Sequence, residues 1–242
     1  MLRTIWFLMN LFIFTLYYAT VAVVAGLIGV RSWKGGVYDW CAREWSLKLM
    51  KAAGAPFKVI GIERVPPGRP VIFISNHQSW FDIFLLATQL PEPARFVTKK
   101  EMLKIPLLGR AIKSAGHIII DRGDRSAAMD AYEDAAAAIR QGVNAVVFAE
   151  GTRSRTGDLL PFKKGPFVLA VAAQVPVVPV YCAGTFSLLQ KGSIKIHPHP
   201  IALLFGDVIE TEGLTYENRE DLLRKTRAAI EQLRVDSAAV VG

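Results

Sequence analysis

Short, almost wholly apolar runs closed by polar or glycine-bearing segments constrain this chain more than any other feature. Pro70-Val71-Ile72-Phe73-Ile74, residues 144–148 and residues 177–181 show no alternation of polar and apolar positions. Each is therefore expected to be a strand buried on both faces. Such strands need helices above and below, and the intervening segments supply them. Residues 83–89, 105–113, 165–174 and 217–234 have helical spacing, and Asp124 and Gly142 are placed to cap and stop a helix over 125–141. Further strands are expected at 57–62, 95–98 and 117–121. The fold class that follows is α/β, a mostly parallel central sheet flanked by helices.

No residue from 4 to 30 is charged, and Arg3 and Arg31 bracket the span. At about 1.5 Å per residue it exceeds the roughly 30 Å hydrocarbon core, so it is long enough to cross a bilayer or lie obliquely in it. A cleaved signal peptide has a much shorter apolar region. The expectation is an N-terminal membrane-associated helical segment. Arg31 and Lys34 follow it directly, and this charge bias points to a body on the cytoplasmic side of the inner membrane. After Gly35-Gly36, residues 37–53 place Tyr38, Cys41, Trp45, Leu49 and Ala52 at helical spacing. This second helix could lie among lipid headgroups or pack on the body. Gly54-Ala55-Pro56 ends it, so membrane-anchoring helices over 1–54 and an α/β domain over 55–242 are the expected divisions.

The net charge of +8 and pI near 9.6 call for an anionic partner: nucleic acid, a membrane surface or a phosphorylated substrate. Two cysteines, Cys41 and Cys182, are too few and too far apart for a disulfide framework or a thiolate zinc site. His197-Pro198-His199 lacks the further ligands a metal pair needs, so no metal is expected. Ser79 and Ser154 lie in no Gly-x-Ser-x-Gly elbow.

Ligands of open α/β sheets gather at the carboxyl ends of strands. There the chain places Asn76, His77 and Asp82 after the first run, Lys99 and Lys100 after the second, Asp121 and Arg122 after the third, and Glu150-Gly151-Thr152-Arg153-Ser154-Arg155 after the fourth. His77 and Asp82 are five apart, which on one helix would rotate them roughly 140° from each other. They meet only if His77 sits in the loop before the helix and the turn folds back. A carboxylate on one imidazole nitrogen would then free the other to take a proton from a hydroxyl. A glycine turn, a threonine hydroxyl and arginine forks are the parts of a phosphate monoester site.

Asn76-His77-Gln78-Ser79-Trp80-Phe81-Asp82, residues 116–122, residues 148–154 and Val175-Pro176-Val177-Val178-Pro179-Val180 resemble, in order, the four motifs of the glycerolipid acyltransferases, specifically the bacterial 1-acylglycerol-3-phosphate acyltransferases. The resemblance covers roughly residues 57–185. It implies transfer of a fatty acyl group from acyl-CoA or acyl carrier protein to the 2-hydroxyl of lysophosphatidic acid, at a membrane phospholipid surface, with no metal, cofactor or nucleic acid. It makes His77 the general base and Asp82 its orienting partner. It assigns Lys99, Arg122, Glu150, Gly151, Thr152 and Arg153 to substrate binding, with Arg153, Arg122 and Lys99 on the acceptor phosphate. Residues 177–180 would line or support the acyl region. Ala149 stands where the family usually has proline. The residues alone leave open another lysophospholipid or glycerol-3-phosphate as acceptor, a serine-based acyl carrier, or a lipid-binding module without catalysis.

Overall fold

The computed structural model describes residues 1–121, 123 and 125–241, apart from the side chains of Arg125 and Ser126. The helices and strands run α1 (Leu2–Leu27), α2 (Val37–Ala53), β1 (Phe57–Ile60), β2 (Ile72–Ser75), α3 (Phe81–Gln89), β3 (Ala94–Lys99), α4 (Leu108–Ser114), β4 (Ile118–Ile120), α5 (Arg125–Arg140), β5 (Asn144–Phe148), α6 (Gly165–Ala173), β6 (Val177–Ala183), α7 (Thr185–Leu188), β7 (Ile201–Phe205) and α8 (Arg219–Val241). Asp124, the expected cap of α5, and Arg122 lie outside the described residues.

Among the described residues the strands form one sheet in the order β1-β7-β6-β2-β5-β3-β4. The five from β6 to β4 pair in parallel, so their carboxyl ends share one edge. β7 runs antiparallel to β6, and β1 follows β7 in parallel. β7 is not among the expected strands, although Ile201-Ala202-Leu203-Leu204-Phe205 is a buried run closed by Pro200 and Gly206.

Period-two alternation divides each central strand between two cores. Ile72, Ile74, Val147 and Val177 face the side covered by α5, α6 and α8. Val71, Phe73, Val146, Val178 and Val180 face the side covered by α1, α2 and α3. Burial on both faces is why these runs carry no polar alternation.

The expected helix over 105–113 forms only in part. A 3-10 turn over Lys100–Lys104 precedes Leu108–Ser114, and Leu107 between them has φ 62°. Pro106 has no N–H to continue a helix, and Leu108 N donates back to Pro106 O at 2.6 Å in a strained three-residue turn.

α2 keeps its expected bounds, ended by Gly54 at φ 67°. Its stripe of Tyr38, Cys41, Leu49 and Ala52 is buried against α1 and α3, so this helix packs on the body. The Phe7 ring lies 5.5 Å from Phe81, and Trp45 lies 5.0 Å from Phe84. Arg95 forms a buried ion pair with Asp39 and also donates to Ser32 Oγ at 3.0 Å. The division at 54/55 is thus one of chain order, while the packing across it is a continuous core.

Candidate active site

β2 lies between β5 and β6, and this neighbourhood positions His77. Beyond the end of β2, Asn76 extends the ladder with its side chain: Nδ2 donates to Cys182 O at 3.1 Å, and Cys182 N donates to Oδ1 at 2.8 Å. On the other flank Ala149 N donates to Ser75 O at 2.9 Å. A proline at position 149 would lack that donor, so alanine adds a ladder bond as well as changing turn rigidity. The chain leaves the sheet at His77 from a fixed point.

The turn does fold back. Nδ1 of His77 donates to Asp82 Oδ2 at 2.8 Å, and the Asp82 side chain is fully buried. A buried carboxylate is costly unless hydrogen bonded, and this one accepts three further bonds. Gln78 N and Ser79 N donate to Oδ2 at 2.6 and 2.8 Å, and Thr185 Oγ1 donates to Oδ1 at 2.5 Å. With Nδ1 carrying the proton, Nε2 is the basic nitrogen. The ring stacks on Phe148 with centroids 3.8 Å apart, which fixes its plane.

The loop after β5 is clamped to the same turn. Ser154 N donates to His77 O at 2.8 Å, and Gln78 Nε2 donates to Gly157 O at 2.8 Å. Gly151, at φ 70°, makes the bend possible. Glu150, expected to touch substrate, is instead only 1% exposed. Its carboxylate accepts from His77 N at 3.0 Å and Leu160 N at 3.2 Å. This places it behind the site, as a strut under His77. Burial raises its pKa from 4.5 to about 7, opposed by those two amides and reinforced by Asp82.

A second, half-buried group responds oppositely. His117 accepts from Phe96 N through Nδ1 at 3.1 Å, and burial, then the charge of Arg95, lowers its pKa from 6.5 to about 4. A raised carboxylate pKa contributes stability below 4.5 that is lost as pH rises to about 7. A lowered histidine pKa contributes stability above 6.5 that is lost as pH falls to about 4. The two oppose one another through the mildly acid range. Glu150→Gln is expected to unmask the histidine, so that its denaturant midpoint falls more steeply than wild type on acidification below pH 6.5. Parallel pH profiles for the two proteins would contradict this.

His77 faces a cavity of about 750 Å³. One end is cationic, lined by Lys99, Thr152, Arg153 and Lys191 with Gly151. The Arg153 guanidinium lies 4.8 Å from the Trp80 ring centroid, and burial lowers its pKa. The rest is mainly apolar: Tyr18, Ala19 and Ala22 of α1, Tyr38, Cys41 and Trp45 of α2, Ile83 and Leu86 of α3, and Leu108 and Ala111 of α4. Residues 177–180 of β6 lie in the core and not on this wall. The structure therefore joins His77, Asp82, Lys99, Gly151, Thr152 and Arg153 at one sheet edge. Lys191, on the loop after α7, had no motif to reveal it. Thr185 had none either, since its role depends on β6 lying beside β2.

The family model described as Acyltransferase matches residues 56–183. The chain belongs to the acyltransferase family. A 1-acyl-sn-glycerol-3-phosphate acyltransferase from Cocos nucifera is 36% identical over 165 residues, covering 68% of this chain and 53% of the relative. The beta form from Homo sapiens is 34% identical over 199 residues, covering 81% and 72%. The alignment spans about half to three-fifths of the length of the plant relatives. The crystal structure of the 1-acyl-sn-glycerophosphate (LPA) acyltransferase PlsC from Thermotoga maritima is similar with a TM-score of 0.81 at 25% identity, covering 100% of this chain and 96% of that one.

Proposed function

We propose that this acyltransferase moves a fatty acyl group from a thioester donor, acyl-CoA or acyl carrier protein, to the 2-hydroxyl of lysophosphatidic acid, giving phosphatidic acid. The observation that carries the reading is the His77 imidazole. It is held at 2.8 Å by a buried Asp82, in the wall of a cavity that is cationic at one end and apolar along its length. Relatives named as 1-acyl-sn-glycerol-3-phosphate acyltransferases support the same substrate class.

In this reading Arg153 and Lys99 hold the acceptor's phosphate, with the Gly151-Thr152 turn against it, and acyl chain fills the apolar part of the cavity. Nε2 of His77 takes the proton of the 2-hydroxyl as its oxygen attacks the thioester carbonyl. The C–S bond then breaks, and the leaving thiolate takes the proton back from the imidazolium, yielding ester and free thiol. Asp82 stabilises the imidazolium between those steps. The amides of Gln78 and Ser79 are already taken by Asp82. The oxyanion is therefore met from the helix start at Phe81 or by a cation of the wall. Acyl transfer to lysophosphatidic acid by the purified protein, compared with glycerol-3-phosphate and with lysophospholipids of other headgroups, tests the assignment. Turnover of none of them would overturn it.

The apolar helix α1 is part of the same proposal. Its inner side, with Phe7, Tyr18, Ala22 and Ala25, packs on the body, while Leu2, Trp6, Met9, Phe12, Ile13, Leu16 and Leu27 are exposed. Both ends are tied down, Thr4 Oγ1 accepting from Ile196 N at 3.1 Å and Val30 O accepting from Tyr38 OH at 2.7 Å. A helix held along its length against the body lies in one leaflet and does not cross the bilayer. Arg3 and Arg31 are then on the same side of the membrane, so the charge bias no longer fixes topology. The cytoplasmic face of the inner membrane is proposed because the thioester donors are found there. Brominated lipid chains are expected to quench Trp6 strongly; unquenched Trp6 in vesicle-bound protein would refute immersion.

A further inference from the structure

The cationic end of the cavity holds more charge than its motifs supply. Lys191 sits on a loop that is firmly attached to the rest of the site. Ser79 Oγ donates to Leu189 O at 2.7 Å, His197 N to Leu188 O at 3.0 Å, and Ser193 N to Gln190 O at 3.1 Å. From this loop the Lys191 ammonium donates to Thr152 Oγ1 at 3.0 Å and to Arg153 O at 2.9 Å. An ammonium has three N–H donors, and these two bonds leave one. Lys191 also lines the cavity. Desolvation and the fields of Arg155, Arg153 and Lys99 lower its pKa, and Arg153 and Lys99 line the same cavity. Among the described residues none of the four is in an ion pair.

Lys191, Arg153 and Lys99 line one cavity with no ion-pair partner of their own among the described residues, so they repel one another, and a ligand relieves that repulsion in proportion to its charge. A phosphate monoester carries about two negative charges near neutral pH, whereas a phosphodiester headgroup carries one. We infer that Lys191 is an acceptor-binding residue that sets headgroup specificity: its third N–H donates to the phosphate, and its charge makes the site select a dianionic monoester over a monoanionic diester. This rests on the proposed acyl transfer to lysophosphatidic acid. The same ammonium also braces the Thr152-Arg153 turn.

The test compares full-length wild type, Lys191→Met and Lys191→Arg on lysophosphatidic acid and on its phosphate methyl ester, which is the same lipid with a single headgroup charge. Lys191→Met is expected to lower kcat/KM on lysophosphatidic acid by about 10- to 10²-fold, the range of a hydrogen bond to a charged group. The methyl ester should lose much less, so wild-type discrimination collapses, while Lys191→Arg retains most of it. The thioester KM should stay unchanged. Equal losses on both acceptors would reduce Lys191 to a brace for the turn, and no loss on either would remove it from the site; both outcomes overturn the inference. If wild type acylates neither acceptor, the functional reading fails and takes the inference with it.

Discussion

His77→Ala is expected to lower kcat by about 10²- to 10⁴-fold, the usual contribution of a positioned general base, while the acceptor KM changes little. The ring is about one-eighth exposed (13%) and sits at the rim of a cavity, so its loss removes a stacking contact with Phe148 and leaves the core intact. What it uncovers is Asp82, still satisfied by Gln78 N, Ser79 N and Thr185 Oγ1. The variant should therefore melt close to wild type and still bind membranes. The measurement is kcat on lysophosphatidic acid alongside the unfolding midpoint. Residual activity within a factor of about three of wild type, in a folded variant, would exclude the imidazole as the base. Added imidazole provides a further check, because the vacated space beside Asp82 opens on the cavity and can admit a small base. A non-catalytic lipid-binding role predicts no effect of either change.

How far the sequence carried depended on whether a structural feature is local. His77 and Asp82 are five residues apart in one turn, so the strand end, the turn and the first turn of α3 were enough to bring them together. The apolar runs of β2, β5 and β6 imposed a parallel sheet, because only a sheet covered on both faces buries such strands. Contacts set by sheet order were not legible. Thr185 reaches Asp82 because β6 pairs with β2, and Lys191 reaches Thr152 because the loop after α7 returns across the same edge. Glu150 has the composition of a ligand group, yet its two oxygens are directed by backbone amides it meets only in the fold. The direction of α1 was equally hidden, since a run of apolar residues carries no record of which side packs and which stays exposed. The β7 run, by contrast, was within reach: five buried apolar residues between Pro200 and Gly206 meet the criteria applied to the other strands.

Asp82 should separate charge from shape. Its carboxylate has two differently occupied oxygens: Oδ2 accepts from His77 Nδ1, Gln78 N and Ser79 N, and Oδ1 accepts only from Thr185 Oγ1. In Asp82→Asn the amide oxygen can take the Oδ2 position and the amide nitrogen the Oδ1 position, because a threonine hydroxyl can turn and accept. Every bond is then kept while the charge is lost. This variant is expected to fold, retaining most of its thermal stability, and to lose kcat by about 10²- to 10⁴-fold as the imidazolium loses its counter-charge. Asp82→Ala offers no acceptor. It leaves two buried amides and a buried hydroxyl unpaired, at about 1–3 kcal/mol for each group left unsatisfied. Its cost is therefore expected in stability as well as rate, with a clearly lower denaturant midpoint than Asp82→Asn. Comparable stability of the two variants would mean the carboxylate is not the organising acceptor of this turn. Wild-type kcat in Asp82→Asn would mean that orientation alone, without charge, is what His77 requires.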